Sequence, residues 1–73
     1  MNINKWNELK TRQPMVAKEI IRAFRIAICS HNTNIPMMAE YARLFAKSRK
    51  ILEANGVCRF RNWDDIEKFS KVI

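Results

Sequence analysis

The chain has one glycine, one histidine, two prolines and two cysteines among its 73 residues. Each scarcity excludes something. A single glycine, Gly56, cannot build the glycine-rich loop that cradles phosphates, where several positions need close backbone approach. His31 stands alone in a polar stretch with no serine or cysteine evidently paired to it, so nucleophilic catalysis has no basis. Cys29, His31 and Cys58 fall one short of the four ligands a structural zinc site closes with, and no C-x₂₋₄-C or H-x₃₋₅-H pair is present. Two cysteines are also too few for a disulfide framework. No apolar run approaches the ~20 residues of a membrane span. The first residues, MNINKWNELK, lack the apolar core of a secretory signal. The expectations are a non-enzymatic protein without metal or cofactor, off the membrane, with reduced thiols in the cytoplasm.

What is present is apolar and basic. Apolar residues make up 48% of the chain, more than a disordered tail carries, so the chain should fold. Its length allows one domain. A domain this small buries only roughly 60% of its unfolded surface, so stability should be modest. Fourteen Lys and Arg against seven Asp and Glu give a formal charge of +7, which favours an anionic partner. The excess is spread along the whole chain and forms no polybasic arm. That pattern weakens a nucleic-acid reading without removing it.

Hydrophobic spacing predicts two long helices. In MVAKEIIRAFRIAIC, residues 15–29, Val16, Ala17, Ile20, Ile21, Phe24, Ala27 and Ile28 recur at i, i+3 and i+4. Pro14 suits the first turn. Lys18, Glu19, Arg22 and Arg25 collect on the opposite side as a polar face. SHNTN, residues 30–34, reads as a polar connector. A second helix, 36–55, carries Met38, Tyr41, Ala42, Phe45, Ser48 and Leu52 on one stripe, and Gly56 after Asn55 marks its end.

VCRFR, residues 57–61, is short enough only for a strand or extended linker. Extended, it would turn Cys58 and Phe60 one way and Val57, Arg59 and Arg61 the other. Asn62 then caps a last helix with Asp64 and Asp65 in its first turn, where the helix dipole favours negative charge. Phe60 and Trp63 read as core anchors, and the two aspartates as capping residues. Residues 1–13 read as a short helix or a loosely ordered arm; MNINKW could instead pair with VCRFR as a ribbon. The expected fold is mainly α, a single domain of three to four helices with a short strand or ribbon near 57–61.

Three surfaces compete for function. A helix-turn-helix would place Met37–Phe45 as its first helix and Lys47–Asn55 as its recognition helix. Lys47, Ser48, Arg49 and Lys50 would then face a DNA groove. Against it, AKS (46–48) lacks a turn residue, and the apolar stripe crosses it in phase, which favours one continuous helix. Adjacent Met37 and Met38 suit either an adaptable apolar groove or ordinary gap-filling in a small core. Trp6, flanked by Lys5 and Lys10, either pins its segment to the core or meets a partner. Grouped with Arg59 and Arg61, those residues form the expected protein-binding set, since tryptophan and arginine dominate interface energetics.

From MNINKWNELKTRQPMVAKEI at one end to RNWDDIEKFSKVI at the other, the chain resembles the small phage-encoded RNA-polymerase-binding regulators known from a Xanthomonas lytic phage. These are transcription inhibitors that also act as antiterminators. The resemblance spans the chain and rests on its overall run of residues, with no signature motif from which a functional residue could be carried over. It implies bacterial RNA polymerase as partner, met through the N-terminal part of the β′ subunit in the host cytoplasm. It further implies that initiation at host promoters is blocked and that elongating polymerase passes terminators. A small DNA-binding repressor is the alternative expectation, with direct DNA contact in place of a protein partner.

Overall fold

Proline organises the first half of the chain. In the computed structural model, which describes residues 1–73, helix α1 (Ile3–Arg12) stops two residues before Pro14, and helix α2 (Pro14–Thr33) begins on it. The proline ring disfavours helical backbone at the residue before it. Gln13 accordingly sits at φ −136°, ψ 70°, and the chain turns between the two helices on that one residue. Asn2 caps α1, its side chain accepting from the Lys5 N–H at 3.1 Å. Residues 1–13 are therefore not a loosely ordered arm: α1 sets Trp6 and Leu9 into the core, and two large apolar side chains hold it there.

α2 is the scaffold. Its inner face, Ala17, Ile20, Ala23, Phe24 and Ala27, keeps the predicted helical period and packs against each of the other three helices. Three alanines let those neighbours approach closely. Phe24, fully buried, meets the rings of Phe45, Phe60 and Phe69 with centroids 5.0, 5.4 and 5.0 Å away. The Phe45 and Phe69 contacts are edge-on, the arrangement that the ring quadrupole favours. Trp6 adds an edge contact to Phe69 at 5.3 Å, which joins α1 to the same cluster.

Helix α3 (Ala39–Ala54) runs unbroken through 46–48, so the helix-turn-helix division does not form. Ala46, Lys47 and Ser48 contain no residue that would interrupt a helix, and Phe45, Ser48 and Leu52 stay in phase on its buried side. It starts later than Pro36 suggests, because Met38 is extended at φ −61°, ψ 147°. At its end Gly56 takes φ 69°. The Gly56 and Val57 N–H groups donate to Glu53 and Leu52 carbonyls at 3.1 and 2.9 Å, a Schellman closure.

No strand or ribbon forms near 57–61. Val57 turns inward, 1% exposed, where strict alternation would have sent it outward. The Schellman turn sets its direction, packing it with Leu52. MNINKW is mostly helical and can offer no ladder; a single bond from the Asn2 N–H to the Val57 carbonyl, 2.7 Å, joins the two segments. Phe60 does face the core, as expected, and Arg59 and Arg61 face solvent.

Helix α4 (Trp63–Val72) begins as the sequence predicts. Asn62 accepts from the Asp65 N–H at 3.1 Å, and Asp65 accepts in return from the Arg61 N–H at 3.0 Å. The first bond satisfies an amide that the first turn leaves free, and the second ties down the chain as it enters the helix. Ile66 and Phe69 are buried. Half-buried Trp63 stacks on His31 of α2 at 4.1 Å and donates its indole N–H to Glu67 at 2.7 Å. No helix of the protein is long and apolar enough to cross a membrane.

Candidate protein-binding surface

The turn from α2 into α3 leaves apolar side chains in water. α2 ends in a Schellman closure of its own: Asn34 adopts φ 57°, its N–H donates to the His31 carbonyl at 3.4 Å, and the Ile35 N–H donates to the Ser30 carbonyl at 3.2 Å. The Ser30 hydroxyl donates to the Ile35 carbonyl, and Thr33 donates to the Cys29 carbonyl at 2.7 Å. The turn is thus closed by its own bonds. Ile35 and Met38 nevertheless remain 65% exposed each. With Ile26, Cys29, Pro36 and Tyr41 they line a shallow apolar depression of about 330 Å³. Its volume is at the low end for a ligand pocket, and its open form suits a partner's side chain better than an enclosed small molecule.

Ile26 also borders a second depression, along Lys18, Arg22 and Arg25. These cations stand at i, i+4 and i+7 on the outer face of α2, so they form one row leading to the apolar patch. None has a carboxylate partner within ion-pair distance. The two ion pairs of the protein lie elsewhere, Lys5–Glu8 at 3.9 Å and Lys68–Asp64 at 3.1 Å. The row therefore projects cations that form no ion pair beside exposed apolar surface, while Glu19 of the same helix borders a depression with Lys47 of α3 instead. Guanidinium groups are weakly hydrated and lose less than ammonium on being covered, which suits such a position.

Of the residues expected at a protein interface, one is buried and four are exposed. Trp6 is 1% exposed and belongs to the core, which removes it from any contact with a partner. Lys10 lies over its ring, 5.7 Å from the centroid, and Lys5 pairs with Glu8. Both lysines are exposed, as are Arg59 and Arg61. Arg59 borders a depression with Met1, Asn2 and Glu53 at the start of α1, which shares no residue with the one along the α2 row.

The DNA-facing set is also divided. Ser48 is buried and donates to the Leu44 carbonyl at 2.7 Å. Arg49 folds back over the Phe45 ring at 4.8 Å, leaving only Lys47 and Lys50 exposed. The cause is the helical phase: on an unbroken α3, residues 48 and 49 turn toward the core while 47 and 50 turn away.

Cysteine placement differs too. Cys29 is exposed at the apolar patch, whereas burial pushes the half-buried Cys58 thiol above its ordinary value of 9.0. No three of the His, Cys, Asp and Glu side chains come together in a way that could hold a metal ion.

Sequence reasoning found Met37 and Met38 but missed Ile35 and the α2 row. A signal existed: an isoleucine between an asparagine and a proline is an apolar residue with no helical face to join, although the expected connector 30–34 proves to be the last turn of α2 as far as Thr33. The cations of α2 read only as an ordinary solvated face, because spacing alone cannot tell whether acids come near. Comparison of the chain with protein-family models, with curated proteins and with solved structures finds no match in any of the three.

Proposed function

We propose that this protein is a non-enzymatic regulator that binds bacterial RNA polymerase in the host cytoplasm. It would engage the N-terminal part of β′, inhibit initiation and suppress termination. The observation that supports action by binding is the exposed apolar patch beside a row of cations that form no ion pair. The identity of the partner rests on the whole-chain resemblance to phage-encoded polymerase inhibitors.

Such a protein acts by differential affinity. Binding one polymerase conformation about 100-fold more tightly than another moves their balance by about 2.7 kcal/mol, enough to keep a promoter complex from opening. The cations raise the encounter rate with an acidic surface, and the apolar patch supplies residence time. What weighs against the DNA-binding alternative is that α3 runs unbroken through 46–48 with Ser48 and Arg49 turned inward; direct DNA contact would draw on the exposed cations.

The experiment is capture of polymerase from nuclease-treated bacterial lysate by the tagged protein, followed by transcription with purified components. Recovery of the large subunits, with fewer initiated transcripts and more read-through of a terminator, is the expected result. Failure to recover them, together with duplex DNA binding that falls steeply as salt rises, would overturn the reading, because phosphate contacts release counterions.

A further inference from the structure

We propose that the surface at the α2–α3 turn accepts an amphipathic segment of a partner protein whose apolar anchors are flanked by carboxylates. The anchors would enter the depression between Ile35 and Met38. The carboxylates would lie along Lys18, Arg22 and Arg25. This rests on the reading above only in taking the protein to work by binding another protein.

Three observations select this occupant. The apolar part is built of aliphatic and thioether side chains that re-pack around an incoming residue, with one half-buried tyrosine as its sole aromatic. A single-stranded nucleic acid needs exposed aromatic faces for its bases, and that patch offers none in a row. The cations continue from the apolar patch through Ile26 along one helix edge, and none of them is held in an ion pair. Duplex DNA would use the charge and leave the aliphatic patch idle. A basic or neutral segment would use the patch and leave the charge idle. A second copy of this chain would bring another basic surface, since the protein carries +7. Only an acidic amphipathic segment uses both parts, in the helix-in-groove mode.

The probe is a dye-labelled peptide of about 16 residues, long enough to be helical when bound, with leucine at i, i+3, i+4 and i+7 and glutamate on the flanks. Lysine and glutamine counterparts and a DNA duplex serve as comparators. Anisotropy reads affinity, and amide resonances of the full protein read the site. The glutamate peptide should bind, shifting the amides of Arg25, Ile26, Ile35 and Met38. Arg22→Glu with Arg25→Glu should weaken it about tenfold or more and reverse the preference toward the lysine peptide. Ile35→Ser with Met38→Ser should weaken both peptides. Arg22→Gln with Arg25→Gln, a milder pair, should give an intermediate loss, with unchanged amide dispersion reporting an intact fold.

The proposal is overturned by several results. These are no shift at those amides, lysine or glutamine peptides binding as tightly as the glutamate one, the duplex shifting the same amides more tightly, or concentration-dependent shifts showing self-association there. A protein that binds the glutamate peptide yet captures no polymerase keeps this inference and ends the polymerase reading. Capture of polymerase with no peptide binding does the reverse.

Discussion

α2 and α3 end in the same backbone closure and put the next residue to opposite uses. After α3, Gly56 takes the left-handed conformation, and Val57 packs into the core with Leu52. After α2, Asn34 takes it, and Ile35 stays 65% exposed. The hydrogen bonds correspond one for one. A Schellman turn usually carries an apolar contact between its last residue and the helix it closes. Here Ser30 stands where Leu52 stands in the other turn, and its hydroxyl bonds back to the Ile35 carbonyl. The second turn therefore stabilises the fold, while the first is held by polar bonds and leaves its isoleucine free. Apolar surface that the fold does not need is where a partner can be met.

The largest test of this difference is a pair of truncations. Leu52→Ala should cost about 2–5 kcal/mol, the usual loss for an excavated core leucine. In a domain of this size that approaches the whole stability, and chemical denaturation should show a largely unfolded variant. Ile35→Ala should stay within about 0.5 kcal/mol of the parent. Comparable losses in the two variants would mean that the turns are not different in kind.

A smaller effect separates the two left-handed residues. No atom lies within 4 Å of a Cβ placed on Gly56, so Gly56→Ala meets no steric clash and loses only the conformational term, about 1 kcal/mol. Asn34→Gly should be neutral or slightly stabilising by a few tenths of a kcal/mol, because glycine enters this conformation without cost. Denaturation midpoints of the two variants read both.

The cysteines sharpen the comparison further, one beside each turn. Cys29, exposed at the patch, should react with a maleimide several-fold faster than Cys58 near neutral pH, since thiolate is the nucleophile and burial holds the Cys58 proton. Mass spectrometry of the labelled chain checks the order. The sign for stability follows from the same shift. Folding favours the protonated Cys58 thiol, so its contribution is complete below the ordinary value of 9.0 and is lost as pH rises through the higher folded value. Cys58→Ser should flatten that alkaline decline by a small amount.

The contact between the last helix and the end of α2 offers a further test. His31→Ala removes the ring stacked on Trp63 and should lower stability by about 0.5–1.5 kcal/mol, with a change in tryptophan fluorescence.

Much of the fold was legible before any coordinates. The i, i+3, i+4 spacing of Ile20, Phe24 and Ala27 requires a helix with one buried side. Asn62 with Asp65 three residues later starts α4 through local bonds alone. Gly56 ends α3 because it is the residue that takes φ 69° without strain. These features depend on neighbours within about one helical turn, and the chain states them directly. The site was less legible. Trp6 reads equally well as an anchor or as a contact, and only the position of Phe69 settles it as an anchor. Lys47, Ser48, Arg49 and Lys50 read as one basic run, yet the phase of an unbroken helix splits them into two exposed and two inward-turned residues.

The sequence by itself determined the periodicity of three helices, the caps that end α3 and begin α4, and a basic balance, because propensity, capping and charge are local or additive. Tertiary structure alone decided which apolar residues were left over. Val57 and Ile35 follow the same turn, but Val57 finds Leu52 and the aromatic cluster around Phe24, while Ile35 finds solvent. It also decided that Lys18, Arg22 and Arg25 form no ion pair, although Glu19 stands at the i, i+3 spacing from Arg22, because side-chain conformation and not spacing alone sets whether such a pair closes.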